Sequence, residues 1–263
     1  AAFGLAGAVF QRIARNPLAS PDVIGINAGA AAAAVFVIVE LNGSTAEVTL
    51  AALLGAVATA VGVYVLAYKR GVTGYRFVLV GIGVTAVLAS VTSYLLTRAE
   101  IFDAQRATVW ITGSLNGRGW EHAGPVALAL AVLVPVVLAL AGQLRLLELG
   151  DDTAKGLGVR VEVVRGALLL AATGLAAVGT ASAGPVGFVA LVSPQIARRL
   201  VGGRSLALVP SMAIGALLVV AAALLARRAL APTELPVGIA TAVLGAPYLL
   251  LLLARANRVG ASG

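Results

Sequence analysis

The sequence predicts an all-α, polytopic membrane protein, and three observations carry that prediction. Of 263 residues, 60% are hydrophobic and 11% charged, with a mean hydropathy of +1.01. Soluble domains hold roughly 45–50% apolar and about 25% charged residues, so this chain lacks the polar surface to wet a globule. The apolar residues run unbroken for about the 20 residues that a spanning helix needs. Aromatic residues are only 5%, and the ten-residue alternating segments of an outer-membrane barrel are missing. A soluble enzyme and a disordered tail are excluded. The lack of cysteine excludes a disulfide scaffold and thiolate metal sites.

The elements follow in order. Residues 1–11 are apolar, but eleven residues reach only about 16 Å as a helix. They read as the second half of a helix that begins upstream. Pro17 and Pro21, within Arg15-Asn16-Pro17-Leu18-Ala19-Ser20-Pro21-Asp22, force an extended or turned stretch. Charge-poor spans are then predicted over residues 23–41, 48–68, 77–97, 123–144, 166–183, 205–226 and 235–254, with a short arm at 186–197. Gly81, Gly83, Ala86 and Ser90 offer a small-residue stripe for close helix approach. Gly184-Pro185 interrupts a long charge-free run, and Pro236 and Pro247 bracket part of the last span. Broken backbone at membrane depth is tolerated inside protein or along a wet cavity, so these breaks suit a translocation path as well as simple kinks. Ile24-Gly25-Ile26-Asn27-Ala28-Gly29-Ala30 resembles Val237-Gly238-Ile239-Ala240-Thr241-Ala242, a weak sign of an inverted repeat.

Counting the short arm as a crossing sorts the charge. One side receives Arg12, Arg15, Lys69, Arg70, Arg76, Arg145, Lys155, Arg160, Arg165, Arg198, Arg199, Arg204, Arg255 and Arg258. The other receives Arg98, Arg106, Arg118, Arg227 and Arg228. With acidic residues included the first side is +9 and the second −1, so the first is cytoplasmic by the positive-inside rule. The overall +8 therefore speaks for membrane orientation, with no nucleic acid implied.

The longest cytoplasmic connection, residues 145–162, reads as a short helix. Asp151 or Asp152 is expected to cap its start, and Gly158 to end it. Leu149, Ala154, Leu157 and Val159 give it an apolar side, which needs either lipid headgroups or a partner groove.

At this point the chain resembles, over essentially its whole length, the permease subunits of iron-siderophore, haem and cobalamin ABC importers, the FecCD type of type II importer. The marks are Arg15 to Asp22, Trp110 with Gly113-Ser114-Leu115, Leu149 to Gly158, Gly184-Pro185-Val186-Gly187-Phe188-Val189, Glu234-Leu235-Pro236-Val237-Gly238, and Leu244-Gly245-Ala246-Pro247. The resemblance implies one permease domain over 1–263 with the ten-helix ABC importer fold, its first helix and the start of the second lying outside this chain. It implies a second permease subunit, identical or paralogous, two cytosolic ABC ATPase subunits and an extracytoplasmic substrate-binding protein. The residues implied to couple to the ATPase are Leu147, Leu149, Gly150, Asp151, Asp152, Thr153, Ala154, Lys155, Leu157 and Gly158. Ser93, Thr97, Glu100 and Ile101 are implied to border the pathway and its gate, and Arg227 and Glu234 to meet the binding protein. The chain departs from the family where Pro194-Gln195-Ile196 replaces Pro-His-Ile and where Ala223 replaces an aspartate.

No Gly-x-x-x-x-Gly-Lys-Ser/Thr loop is present, so the chain is expected not to be an enzyme. ATP and magnesium are expected at the partner ATPase, with no cofactor on this chain. His122 is the only histidine, too few for a metal site, so iron is expected to travel chelated. The rival reading is a proton- or sodium-coupled secondary transporter, which needs an ionisable residue near mid-membrane; the sequence places every acid at a span end or in a loop. The implied setting is the bacterial inner membrane, multi-pass.

Overall fold

Backbone amides in hydrocarbon must find their partners within their own segment, and among the described residues the chain forms helices only. The computed structural model describes residues 1–68, 74–202, 205–228 and 234–260, with side chains through residue 250. Lys69, Arg70 and Arg204 of the cytoplasmic charges, and the side chains of Arg255 and Arg258, lie outside the described residues. The helices are α1 (Ala2–Ala14), α2 (Ile26–Glu40), α3 (Thr45–Ala67), α4 (Gly74–Arg98), α5 (Ile101–Thr112), α6 (Trp120–Ala139), α7 (Ala141–Glu148), α8 (Asp151–Gly156), α9 (Val161–Ala183), α10 (Val189–Leu200), α11 (Leu208–Arg228) and α12 (Val237–Gly260). Of these, α3, α4, α6, α9 and α11 are long and apolar enough to cross a membrane, while α1, α2 and 237–250 of α12 are shorter and apolar.

The short N-terminal helix is the centre of the bundle. Eleven of its thirteen residues are buried, and it packs against α4, α9, α10 and α11. Glycine makes the approach possible. A Cβ on Gly4 would lie 2.1 Å from the Ser211 carbonyl oxygen, and one on Gly7 would lie 1.7 Å from that of Ala190. Such backbone contact is how helices associate where apolar burial gives no advantage over lipid. Phe10 stacks on Phe77 of α4 at 6.3 Å.

Proline and glycine set the breaks. α2 begins at Ile26, three residues later than the apolar run suggests, because Gly25 takes φ 93 after the Pro21 turn. The Gly184-Pro185 break is real: Gly184 (φ 76) ends α9, and Phe188 (φ 66) precedes α10. Three breaks then meet. The Ser114 amide donates to the Ala183 carbonyl (2.8 Å), and the Gly238 amide donates to that of Gly113 (3.0 Å). Pro125, Pro135 and Pro247 are absorbed inside helices.

Three expectations need correction. The run 123–144 is two helices that part at Leu140, so the membrane segment ends at Ala139. α9 starts at Val161, five residues before Gly166, and takes in Glu162 and Arg165. Of the small-residue stripe only Gly81 is used for packing within the chain, where a Cβ would meet Ile24 Cα at 2.7 Å; Gly83, Ala86 and Ser90 are exposed.

The following ion pairs among the described residues each join charges that the sequence reading puts on one side. Arg12–Glu148, Arg15–Asp151, Arg165–Asp151 and Arg165–Glu162 join residues of the cytoplasmic set, and Arg106–Asp103 joins two of the outer set.

Candidate functional site

α7 and α8 form a pair hinged at Gly150, whose φ of 113 only glycine adopts at low cost. Neither aspartate caps α8, contrary to expectation. Gly150 occupies the cap position and makes no side-chain bond, while Asp151 and Asp152 fill the first turn, where negative charge faces the helix dipole favourably. The helix ends as expected at Gly158. The Gly158 amide donates to the Lys155 carbonyl (2.9 Å), and the Val159 amide donates to that of Ala154 (3.0 Å). This is the two-bond glycine stop that turns the following apolar residue back onto the helix.

That stop divides the predicted apolar side in two. Leu147 and Ala154 are buried in the main core, with Val159 packed against it. Leu149 and Leu157 project outward, 62% and 58% exposed, beside exposed Asp152, Thr153, Lys155 and Gly158. The pair thus has a rooted inner face and a free outer face carrying two leucines among charges.

Arginines hold the inner face. The Asp151 carboxylate accepts from Arg15 Nη2 (2.8 Å) and from Arg165 Nη2 (2.7 Å). Arg15 Nη2 also donates to the Leu147 carbonyl (2.8 Å). Arg12 donates to Glu148 and to the Ser205 carbonyl. Burial alone would raise the Asp151 carboxyl, but hydrogen bonds and charge from Arg165 and Arg15 hold it below the ordinary carboxylate range. Arg15 is itself left-handed, φ 50, at the end of α1. For a non-glycine residue that conformation costs about 1–2 kcal/mol and persists only where the surroundings fix it.

A cavity of about 730 Å³ is lined by Phe102, Arg106, Trp110, Ser114, Arg118 and Glu234, among others. Glu234 is exposed, and the Leu235 amide, donating to the Ala226 carbonyl (3.1 Å), keeps it near exposed Arg227 at the end of α11. Ser93, Thr97, Glu100 and Ile101 do not line that cavity. They lie exposed along α4 and at the start of α5, with Glu100 in a smaller polar pocket beside Glu40, Arg98 and Asp103.

A family profile decides the identity: the FecCD transport family matches residues 1–255. The chain belongs to the FecCD transport family. It is 41% identical over 258 residues to the ferric enterobactin transport system permease protein FepG of Escherichia coli, covering 98% of this chain and 78% of FepG. It is 41% identical over 266 residues to the iron(3+)-hydroxamate import system permease protein FhuG of Bacillus subtilis, covering 98% and 79%. A solved inward-facing conformation, described as that of a metal-chelate type ABC transporter, superposes with a TM-score of 0.87 at 27% identity, covering 96% of this chain and 82% of that one. This FecCD protein is therefore a multi-pass importer permease of the bacterial inner membrane, and no enzyme; the ATPase is a separate subunit.

Gln195 and Ala223, where the sequence reading expects other residues, both sit in packed surroundings. Gln195 Nε2 donates to Gln11 Oε1 (3.0 Å) and to the Pro17 carbonyl (2.8 Å), while its oxygen accepts from Arg198 (2.7 Å). It ties α10 to α1 and to the proline turn. Ala223 packs against the apolar cluster around Phe3, Val186 and Val237, where an unpaired carboxylate would be costly. The arginine grips escaped the sequence reading, although Arg15 stands in a recognised motif. Arg15 and Asp151 are 136 residues apart, and only the fold brings them together.

Proposed function

We propose that this permease, paired with a second permease subunit, forms the translocation path for a ferric siderophore and works by alternating access. ATP, with magnesium, acts in two cytosolic ABC ATPase subunits that receive the outer face of α7 and α8. An extracytoplasmic substrate-binding protein delivers the cargo at Arg227 and Glu234, and Ser93, Thr97, Glu100 and Ile101 border the gate. The observation that carries this reading is the pair Leu149 and Leu157, apolar and more than half exposed on a basic cytoplasmic face, flanking a helix rooted by Ala154. Relatives whose names specify ferric enterobactin and iron(3+)-hydroxamate favour a chelated ferric cargo. Among the described residues no group of three or more His, Asp or Glu could hold a bare ion, which suits a chelate.

The chain has no cysteine, so a single introduced cysteine is its one labelling site, read on the isolated permease band. Thr97→Cys and Ile101→Cys are placed in the complete transporter in proteoliposomes, with ATP inside and a membrane-impermeant maleimide outside. Labelling rates are expected to change several-fold between nucleotide-free and ATP-bound states while a ferric siderophore is taken up. Equal rates in both states would remove the gate assignment. Absence of ATP-dependent uptake for ferric siderophores, with haem or cobalamin carried instead, would remove the cargo assignment.

A further inference from the structure

We infer that Arg15, Arg165 and Asp151 form an ionic clasp that transmits the movement of the coupling helices into the bundle, with Arg12 and Glu148 as its second grip. The inference rests on α7 and α8 being the ATPase dock. A dock must do two things: offer a surface to the partner, and pass displacement to helices that line the path. Apolar contact transmits a push, but it slides and parts under a pull. Charge-assisted hydrogen bonds are directional and resist both.

The geometry fits that task. Asp151 opens α8, and one of its oxygens takes bonds from two different helices: from α1 through Arg15 (2.8 Å) and from α9 through Arg165 (2.7 Å). Arg165 also donates to Glu162 at 3.3 Å, and its side chain is only 4% exposed. It is therefore a fixed post at the foot of α9. Arg15 holds the other member of the pair too, through the Leu147 carbonyl in the last turn of α7 (2.8 Å), which also accepts from the Gly150 amide (3.3 Å). Arg12, one turn earlier on α1, holds Glu148 and reaches the Ser205 carbonyl ahead of α11.

Every grip thus falls on the root of the pair, and none on Leu149, Asp152, Lys155 or Leu157, which stay free for the partner. Arg15 keeps a left-handed backbone, φ 50, at the end of the most buried helix. Movement delivered there passes along α1 to α10 and α11 through the backbone contacts at Gly7 and Gly4. Arg15, Arg165 and Asp151 are positioning residues; none touches cargo.

The test is the number of ATP molecules hydrolysed per ferric siderophore imported by the complete transporter in proteoliposomes. Asp151→Asn keeps the shape and removes the charge. The ratio is expected to rise about tenfold, the factor carried by one hydrogen bond to a charged group. Asp151→Glu, which restores the carboxylate, is expected to return it to within a few-fold of the parent. A lowered melting temperature with an unchanged ratio would mean a merely structural pair and overturn the clasp. Should Asp151→Asn fail to fold, Arg15→Gln leaves the Arg165 bond in place and reads the same ratio; a parent-like value there overturns the clasp equally. Leu157→Asp tests the dock separately. Normal ATPase assembly and uptake in that variant would overturn the docking reading itself.

Discussion

Replacing Gly7 by alanine should destabilise the permease far more than its single methyl suggests. The new Cβ would lie 1.7 Å from the Ala190 carbonyl oxygen, 2.6 Å from its carbon and 3.0 Å from its Cα. All three are main-chain atoms of α10, so no side chain can rotate away. Relief requires moving α1 from α10 by more than an ångström, which opens the packing around Leu5 and Val9, both fully buried. Overpacking a core costs about 1–3 kcal/mol, and a backbone obstacle belongs at the upper end. Against this, alanine gains about 1 kcal/mol over glycine in a helix. Gly62 in α3 is the control, because a Cβ there meets nothing within 4 Å and Gly62→Ala should keep the whole propensity gain. The two variants should therefore differ by about 3 kcal/mol, or roughly 5–10 °C in melting temperature measured side by side in one detergent. A Gly7→Ala protein that melts with or above Gly62→Ala would refute the claim that α1 is packed backbone to backbone.

Two further outcomes are expected. Arg227→Glu should weaken capture of the binding protein about tenfold, chiefly through slower association that worsens with falling salt; unchanged affinity in surface plasmon resonance would remove Arg227 from the docking face. Asp22, in the turn before α2, is pushed up to about 7 by burial, against the lowering effect of the Phe188 amide bond. The native chain then holds a proton that the unfolded chain releases between about pH 4 and 7, so stability should fall as pH rises through that window and level off above it. Asp22→Asn should abolish that slope in melting curves taken from pH 5 to 8, and an identical slope in both proteins would rule out the assignment.

Where the chemistry is local, the residues announce the structure. Hydrocarbon demands long apolar helices, and α3, α4 and α11 follow the predicted spans within a few residues. The paired prolines Pro17 and Pro21 and the Gly184-Pro185 step disfavour helix and lie outside it. Elsewhere the deciding partner is remote. Arg165 reads as a loop charge until Asp151 and Glu162 neutralise it, which lets α9 begin five residues early with an arginine against the core. The parting at Leu140 has no glycine, proline or charge at the residue to betray it. The N-terminal eleven apolar residues look marginal alone; their central place depends on Gly4 and Gly7 meeting carbonyls of helices that come some two hundred residues later. The stretch from Leu147 to Gly158 was legible as a motif, but which of its residues pack inward and which stay exposed was not. Gly158 makes that division by sending Val159 inward and leaving Leu157 outside.

That division bears on what covers the leucines. Fully burying a leucine is worth about 1.5–3 kcal/mol, so a connection selected only for stability would turn Leu149 and Leu157 toward the core with Ala154. Resting on lipid would also cover them, but lipid asks for one continuous apolar side. Here the apolar residues are split, with Ala154 rooted and the leucines projecting among Asp152, Thr153 and Lys155. Apolar anchors within a charged rim are the pattern of a protein interface. Behind them, Asp151 and Glu148 are tied by arginine to α1 and α9. A surface made only to rest on something has no need of such tethers; one that must be pushed and pulled does.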